Sequence, residues 1–157
     1  MEIFRFIFAI LISYFPALLA AFFSFESKEW YFNLLKPEFA PPSWVFGVVW
    51  SVLYFVIGLS LYFFCVAQGD FEKKRKGFVL FSFHLLLNAS FVPVFFGLKS
   101  LLGGLFISVF LSLVVARMIV EFYKTSKISA VLLLPYLAWS IFATVLSYYI
   151  YSLNICS

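Results

Sequence analysis

Five long stretches of apolar residues follow one another along the chain, separated by short polar or charged segments. Crossing the hydrocarbon core of a bilayer takes about 20 predominantly apolar residues in a helix, and each stretch approaches or exceeds that length. We predict transmembrane helices over residues 4–25, 44–66, 78–98, 101–123 and 129–153. Residues 1–157 are then one membrane domain, an all-α bundle of five transmembrane helices.

Composition supports the membrane interpretation and excludes a water-soluble fold. Hydrophobic residues make up 65% of the chain and charged residues 11%, against roughly 45 to 50% and about 25% in soluble domains. The first apolar stretch, residues 7–25, is long and ends in bulky phenylalanines. A signal peptide has a shorter apolar region and a cleavage site of small residues, so we interpret this stretch as the first span.

The positive charges indicate an orientation. With five spans, eight basic residues fall on one side of the membrane and three on the other: Arg5, Lys73, Lys74, Arg75, Lys76, Arg117, Lys124 and Lys127 against Lys28, Lys36 and Lys99. Cytoplasmic loops carry the excess of lysine and arginine, which predicts a cytoplasmic N-terminus and an external C-terminus. The basic run 73–76 is therefore interpreted as a topology signal, and no nucleic-acid partner is expected.

The two cysteines show no sign of metal or disulfide chemistry. Cys65 and Cys156 lie near the ends of different apolar stretches, without the spacing of a metal site or the density of a disulfide scaffold. We predict free thiols, no metal site and no cofactor.

The longest connection, residues 26–43, contains Trp30, Tyr31 and three prolines. Proline restricts its own backbone and that of the preceding residue, which predicts extended and turn conformations. Such a loop can form a lid over the mouth of the bundle. The alternative is an interfacial anchor, since tryptophan and tyrosine collect at headgroup depth; composition does not decide between the two.

The second predicted span places Phe46, Trp50, Tyr54 and Gly58 on one helix face, because they recur every four residues. Buried indole and phenol groups usually find hydrogen-bond partners. This face lines a ligand pocket or packs against neighbouring helices.

The third predicted span carries His84 and Asn88 one turn apart, followed by Phe91 and Phe95. Polar residues inside a membrane are costly and face the bundle interior, where they contact a ligand or make interhelical hydrogen bonds. Pro93 lacks the amide hydrogen, and we expect it to bend the span or loosen the turn before it.

The fourth predicted span has a stripe of small residues at four-residue intervals: Gly104, Ser108, Ser112 and Ala116. Small residues allow close backbone approach, and we expect the stripe to pack within the same chain rather than against a second copy. Arg117 and Glu121 are spaced for an ion pair on the helix surface.

The fifth predicted span repeats the aromatic pattern with Trp139, Ala143 and Ser147 at four-residue intervals, after Pro135 and Tyr136. If this face points toward the second span, the bundle encloses a cavity with aromatic walls and a few polar groups. Small-molecule sites are concave and mostly apolar, with sparse polar groups.

Several motifs together resemble the tryptophan-rich sensory protein and translocator protein (TspO/MBR) family, also called peripheral-type benzodiazepine receptors. They are Trp30-Tyr31, residues 36–44 (KPEFAPPSW), residues 50–54 (WSVLY), Asn88, Phe95-Phe96, residues 134–143 (LPYLAWSIFA) and Leu153-Asn154. They cover nearly the whole chain in order.

The resemblance implies a five-helix bundle, often homodimeric, with a pocket under the first loop for protoporphyrin IX and benzodiazepine-site ligands. It places Trp50 and Trp139 in the pocket, Tyr31 and Pro41 in the lid, and Tyr54, Asn88, Phe91 and Ala143 in the walls. With the spacing argument, the expected ligand-binding residues are Tyr31, Pro41, Phe46, Trp50, Tyr54, His84, Asn88, Phe91, Trp139, Ala143 and Ser147.

This chain departs from the family pattern at His84, Phe91, Phe39 and Ser147, where relatives often have glutamine, tryptophan, tryptophan and asparagine. The cholesterol-recognition pattern of animal members needs a basic residue that residues 146–157 lack, so we expect a bacterial cell membrane. The expected function is a porphyrin-binding sensor or carrier. The alternative implied by the family is a light-dependent porphyrin-degrading enzyme that uses Trp50 and Trp139.

Overall fold

The structure, a computed structural model, describes residues 2–24, 28–69 and 71–155. Those residues form helices and connecting turns, without a β-strand: α1 (Glu2–Ser13), α2 (Phe15–Ser24), α3 (Lys28–Asn33), α4 (Ser43–Val66), α5 (Phe71–Val92), a π-helical turn (Pro93–Gly97), α6 (Leu101–Tyr123), α7 (Lys127–Leu132) and α8 (Leu134–Asn154). Five segments are long and apolar enough to cross a membrane: Glu2–Ala21, Ser43–Val66, Phe71–Gly97, Leu101–Tyr123 and Lys127–Asn154. The all-α fold and the number of spans are confirmed.

The first and fifth spans are each divided near a proline, which the sequence prediction of unbroken helices missed. The first breaks at Tyr14, between α1 and α2, with Pro16 in the first turn of α2. The fifth breaks at Leu133, and Pro135 stands in the first turn of α8. Proline is tolerated in the first turn of a helix, because the backbone amides of that turn make no hydrogen bond within the helix.

The third span begins at Phe71, whereas the sequence predicted residue 78. The basic run 73–76 lies within the first turns of α5 instead of in the connection. Lys74 explains part of this difference, because its Nζ donates to the carbonyl oxygens of Cys65 at 2.9 Å and Ala67 at 2.6 Å. The lysine therefore caps the end of α4 and fixes the start of α5 beside it.

Pro93 loosens the helix, but in the turn that begins at the proline rather than the one before it. The amide of Leu98 donates to the carbonyl of Pro93 at 2.9 Å, and the amide of Ser100 to that of Val94 at 3.2 Å. The first bond spans five residues and is the π-helical type, and the second spans six and closes the loop that follows, so the end of the third span is widened.

The helices pack unequally around the bundle. α1 packs along α4, α5 along α6, and α6 along α8, whereas α2 leaves α4 and packs against α5 and the π-helical turn. In the core the rings of Phe64 and Phe122 stack with centroids 4.0 Å apart. Between α4 and α7, the hydroxyl of Ser60 donates to the carbonyl of Ser129 at 2.8 Å, and Ser129 returns a bond to Ser60. Such interhelical bonds hold the spans in register.

The stripe of small residues on α6 packs within the chain, as predicted. Gly104 lies against the ring of Phe95, where a larger side chain would collide. Ser108 is buried, and the hydroxyl of Ser112 lies 3.1 Å from that of Thr144 on α8.

The ion pair predicted at the end of the fourth span is also present. Arg117 Nη2 lies 3.5 Å from Glu121 Oε2, and Lys124 Nζ approaches the same oxygen to 2.8 Å. The Glu121 carboxylate is therefore neutralised from both sides although its side chain is buried. Cys65 is a free, half-buried thiol, and Cys156 lies outside the described residues.

Candidate functional site

A cavity of about 630 Å³ lies among the five spans and reaches α3. Eight of the eleven side chains predicted from the sequence line it: Tyr31, Phe46, Trp50, Tyr54, Asn88, Phe91, Ala143 and Ser147. Ligand sites in proteins typically occupy roughly 300–1,000 Å³. The structure thus brings most of the predicted site together around one space.

Flat aromatic surfaces form two walls of the cavity. On α4, Trp50 stacks on Tyr54 with ring centroids 5.3 Å apart and an angle of 29° between the planes. On the third span, Phe91 stacks on Phe95 with centroids 5.4 Å apart and an angle of 9°. Both pairs arise because their members are spaced four residues apart on a helix. Stacked rings offer planar apolar faces for a flat ligand.

A chain of hydrogen bonds runs from the cavity wall into the core. The hydroxyl of Tyr54 donates to Asn88 Oδ1, and Asn88 Nδ2 donates to the hydroxyl oxygen of Tyr136, each at 2.9 Å. That oxygen also lies 2.9 Å from His84 Nε2. The Tyr136 hydroxyl can donate one hydrogen bond and accept two, so it can pair with Asn88 and with either tautomer of His84.

Tyr136 was not among the predicted site residues, although it joins Asn88 to His84. Its position one turn before Ser140, in a polar and aromatic segment of the fifth span, was the available signal. The bond between Asn88 and Tyr136 ties the third span to the fifth, and the bond between Asn88 and Tyr54 ties it to the second. Asn88 is therefore the junction of three spans.

Three predicted residues do not line the cavity. His84 is withdrawn behind Tyr136 and is 1% exposed. Trp139 lies behind Phe46, with ring centroids 5.8 Å apart, and its Nε1 is buried without a hydrogen-bond partner among the described residues. Pro41 belongs to the segment before α4 and is half-buried outside the lining. Ala143 and Ser147, on the same face of α8, line the cavity as expected, but Phe46 of α4 packs against the Trp139 ring and lines the cavity in its place.

The segment above the cavity, residues 28–42, will be called the lid segment. It begins with α3, a short helix where the sequence predicted extended and turn conformations. Residues 26 and 27 of the predicted loop, and residue 25 of the predicted first span, lie outside the described residues. Trp30 and Tyr31 both project onto the third span, with ring centroids 5.6 Å from Phe95 and Phe96, respectively. These contacts favour the lid interpretation over a free interfacial anchor.

The lid segment is held on the fifth span as well. The ring of Phe39 packs edge-on against Tyr149 with centroids 5.3 Å apart. Asn154, near the end of α8, accepts from the amide of Leu35 at 3.0 Å and donates to its carbonyl at 2.9 Å. Two spans therefore hold the segment in place.

Lys36 stabilises the lid segment from within. Its Nζ donates to the carbonyls of Phe32 at 3.2 Å and Leu34 at 3.1 Å, and lies 4.7 Å from the centre of the Tyr31 ring. These bonds satisfy carbonyl groups at the end of the short helix. Burial lowers the pKa of Lys36 and raises the pKa of the Tyr31 hydroxyl.

The cavity has features that the sequence prediction missed. Its lining among the described residues carries no charged side chain. Ser43, Ser51, Ser108 and Ser140 add hydroxyl groups to the polar amide of Asn88 in the lining. Gly47 also lines the cavity and contributes no side chain to its wall. Ser43, Gly47 and Ser51 recur every four residues, so a stripe of small residues on the second span was visible in the sequence.

Comparison with known proteins gives a consistent result. The sequence model described as the TspO/MBR family matches residues 7–153. A protein named "Tryptophan-rich protein TspO" from Archaeoglobus fulgidus is 41% identical over 135 residues, which cover 85% of this chain and 86% of that protein. The human "Translocator protein" is 37% identical over 130 residues, 82% of this chain and 77% of its own. A "Tryptophan-rich sensory protein" from Cereibacter sphaeroides is 36% identical over 129 residues, 82% and 79% of the two chains.

Proposed function

Because this chain belongs to the TspO/MBR family, we propose that it is a multi-pass membrane protein that binds porphyrins such as protoporphyrin IX, or similarly flat hydrophobic molecules. In this role it acts as a tetrapyrrole sensor or carrier. The relatives' names describe sensory and translocator proteins rather than enzymes, which is compatible with a binding role.

The observation that carries the proposal is the cavity with two stacked aromatic walls. A porphyrin is a flat, mostly apolar macrocycle, and the Trp50–Tyr54 and Phe91–Phe95 pairs present flat apolar faces around a space of about 630 Å³. Dispersion contacts between close-packed flat surfaces are individually small but add up over a large ring. Asn88 and the serines supply the few polar groups that orient a ligand.

The predicted residues divide into two groups. We assign direct contact with the ligand to those that line the cavity, above all Trp50, Tyr54 and Phe91. We assign support to His84, which fixes Tyr136, and to Trp139, which backs Phe46. Pro41 contributes to the lid segment by restricting the backbone that leads into α4.

The uncharged lining constrains how a porphyrin is held. An ionised carboxylate is not buried without a partner, and no charged side chain lines the cavity among the described residues. The macrocycle therefore lies inside while its propionate groups remain at the membrane surface. Ser43, at the first turn of α4, marks that end of the cavity.

We also propose an orientation in the membrane and an assembly for the protein. The excess of basic residues on one side supports a cytoplasmic N-terminus, the missing cholesterol-recognition pattern in residues 146–157 supports a bacterial cell membrane, and the family resemblance supports a homodimer. Labelling of Glu29→Cys in a variant whose Cys65 and Cys156 are replaced by serine, with a reagent that does not cross membranes, tests the orientation. Reaction in intact cells is expected, because the lid segment then faces outward; reaction only after the cells are broken would reverse the orientation.

The binding proposal is tested with the purified protein in lipid nanodiscs. Titration with protoporphyrin IX is expected to quench tryptophan fluorescence saturably, with a dissociation constant on the order of micromolar, equivalent to about −8 kcal/mol. Nanodiscs without protein and a bundle protein of similar tryptophan content are the controls. Quenching that grows linearly without saturation would reject a specific site.

Light-dependent breakdown of the bound porphyrin is the second candidate, favoured by the exposure of the Trp50 ring to the cavity. In this reaction dissolved dioxygen would oxidise the light-excited macrocycle, and the indole would only relay an electron and recover it, so that the net change is oxidation of the porphyrin by dioxygen. Mass spectrometry after illumination tests it. A new tetrapyrrole product that disappears in Trp50→Phe and Trp139→Phe supports this reaction, whereas identical bleaching in the double variant excludes it.

A further inference from the structure

The distance between the first and second spans changes along their length. A Cβ atom at Gly58 would lie 2.7 Å from Ile10 Cδ1 and 2.9 Å from Ile10 Cα, so α1 and α4 nearly touch there. A Cβ atom at Gly47 would meet no heavy atom of the described residues within 4 Å. The two glycines are eleven residues apart, about 16 Å along a helix. The spans therefore separate toward the end that bears the lid segment.

The separation begins at Tyr14. Its hydroxyl donates to the carbonyl of Ser51 at 2.7 Å, and its ring packs against Tyr54 with centroids 5.7 Å apart. The helix is interrupted at this residue, and α2 turns away from α4 toward α5. Pro16 favours the break, because proline has no amide hydrogen with which to continue the helical hydrogen bonds of α1.

The cavity is open where the two spans separate. Most residues that line it are buried or half-buried, but Ser43, Gly47, Ser51 and Phe32 are also exposed on the outer surface. Ser43, Gly47 and Ser51 lie on one face of α4. Together with Phe32 of the lid segment, they form the edge of this opening. Ala17 and Ala20 of α2 line the cavity across from them. This edge faces the bilayer, because it runs along spans long enough to cross one.

The other route, through the lid segment, is closed by several contacts. The segment is fastened to the third span by Trp30 and Tyr31, and to the fifth by Phe39 and Asn154. Opening it would break these contacts together. No comparable contact joins α2 to α4 beyond Tyr14 among the described residues.

We propose that ligands enter and leave the cavity sideways from the bilayer, through the opening between α2 and α4 edged by Ser43, Gly47 and Ser51. This inference rests on the proposed binding function and specifies its ligands as flat amphiphiles dissolved in the membrane. Such a molecule slides its apolar ring between the spans while its carboxylates stay among the headgroups. On the α4 side of the opening, Ser43, Gly47 and Ser51 put neither a bulky nor a charged side chain in its path.

Stopped-flow fluorescence with protoporphyrin IX, delivered from lipid vesicles to the protein in nanodiscs, tests the route through a size series at Gly47. Association and dissociation rate constants are both expected to fall in the order Gly47→Ala, Gly47→Leu, Gly47→Phe, by about ten-fold or more for phenylalanine. Both rates fall because a narrowed opening raises the barrier in both directions, so their ratio changes much less than either one.

Val48→Phe is the matched control, because Val48 is the next residue of α4, is exposed and does not line the cavity; its rates should match those of the wild type. Asn154→Ala loosens the lid segment and should also leave both rates within about two-fold. If Gly47→Phe does not fold, Ser43→Phe, one turn along the same edge, replaces it.

Three results would overturn the lateral route. One is unchanged rates across the Gly47 series, and another is strong acceleration by Asn154→Ala, which would point to entry through the lid. The third is a change in dissociation alone, which would make Gly47 a simple wall contact. Absence of saturable binding by the wild-type protein would instead reject the proposed function, and the route with it.

Discussion

Asn154 and Leu35 are joined by two hydrogen bonds, in which the side-chain amide of Asn154 pairs with both the N–H and the C=O of Leu35. The residues are 119 positions apart, so this pairing links the lid segment to the far end of the chain. A third bond, from Asn154 Nδ2 to the carbonyl of Ile150 at 2.7 Å, orients the amide on α8. The asparagine therefore holds the lid segment against the fifth span.

Asn154→Ala should release the lid segment without unfolding the bundle. Loss of two exposed hydrogen bonds costs about 1–2 kcal/mol locally, which corresponds to roughly 5- to 30-fold faster hydrogen exchange at the Leu35 amide. Exchange followed by mass spectrometry measures this. Ser152→Ala is the control, because the Ser152 hydroxyl bonds only to the carbonyl of Tyr149 in its own helix. Equal exchange in the two variants would show that Asn154 does not hold the segment.

Trp50→Leu should weaken binding of protoporphyrin IX by about ten-fold, since an aromatic contact contributes roughly 0.5–1.5 kcal/mol beyond its buried area. Trp50 lines the cavity, whereas Trp44, on the same helix, is 70% exposed and lies outside the lining. Trp44→Leu is therefore the matched control and should bind like the wild type. Equilibrium titration followed by porphyrin absorbance avoids dependence on tryptophan fluorescence. Equal affinity of the two variants would contradict the site.

Asn88→Leu should destabilise the bundle more than Tyr54→Phe. Tyr54→Phe removes one interhelical hydrogen bond, worth about 0.6 kcal/mol in membrane proteins. Asn88→Leu removes two and leaves the buried Tyr54 hydroxyl without a partner, at about 1–3 kcal/mol, whereas the Tyr136 hydroxyl keeps its contact with His84. Unfolding in mixed detergent micelles measures both. Ser90→Ala, which loses only a bond to the carbonyl of Leu87, is the control; if Asn88→Leu is as stable as Ser90→Ala, the junction of three spans is not energetically important.

His84 should not coordinate the iron of a bound haem, because it is withdrawn behind Tyr136 and does not line the cavity. The Soret maximum of haem added to the protein should be the same for the wild type and His84→Gln, whose side-chain amide can donate to the Tyr136 hydroxyl or accept from it. Thermal unfolding of the same samples checks that the variant is folded. A Soret shift specific to the variant would assign His84 as an axial ligand.

The spans and the aromatic faces were predictable from the sequence. Within lipid, a helix satisfies its backbone hydrogen bonds internally, so length and apolar composition suffice to locate the five spans. Spacing by four residues places Trp50 with Tyr54 and Phe91 with Phe95 whatever the neighbours are. The ends of the third span were less predictable, because Lys74 caps the preceding helix and draws the basic run into α5.

What each helix face meets was decided only by the tertiary structure. Trp50 and Trp139 looked equivalent in sequence, yet Phe46 of α4 packs against the Trp139 ring and lines the cavity in its place. His84 and Asn88 share a face, yet Tyr136 stands between His84 and the cavity. Helix rotation and separation depend on how side chains far apart in sequence fill the same space, so the cavity, its junction at Asn88 and its open edge appear only when the five spans pack together.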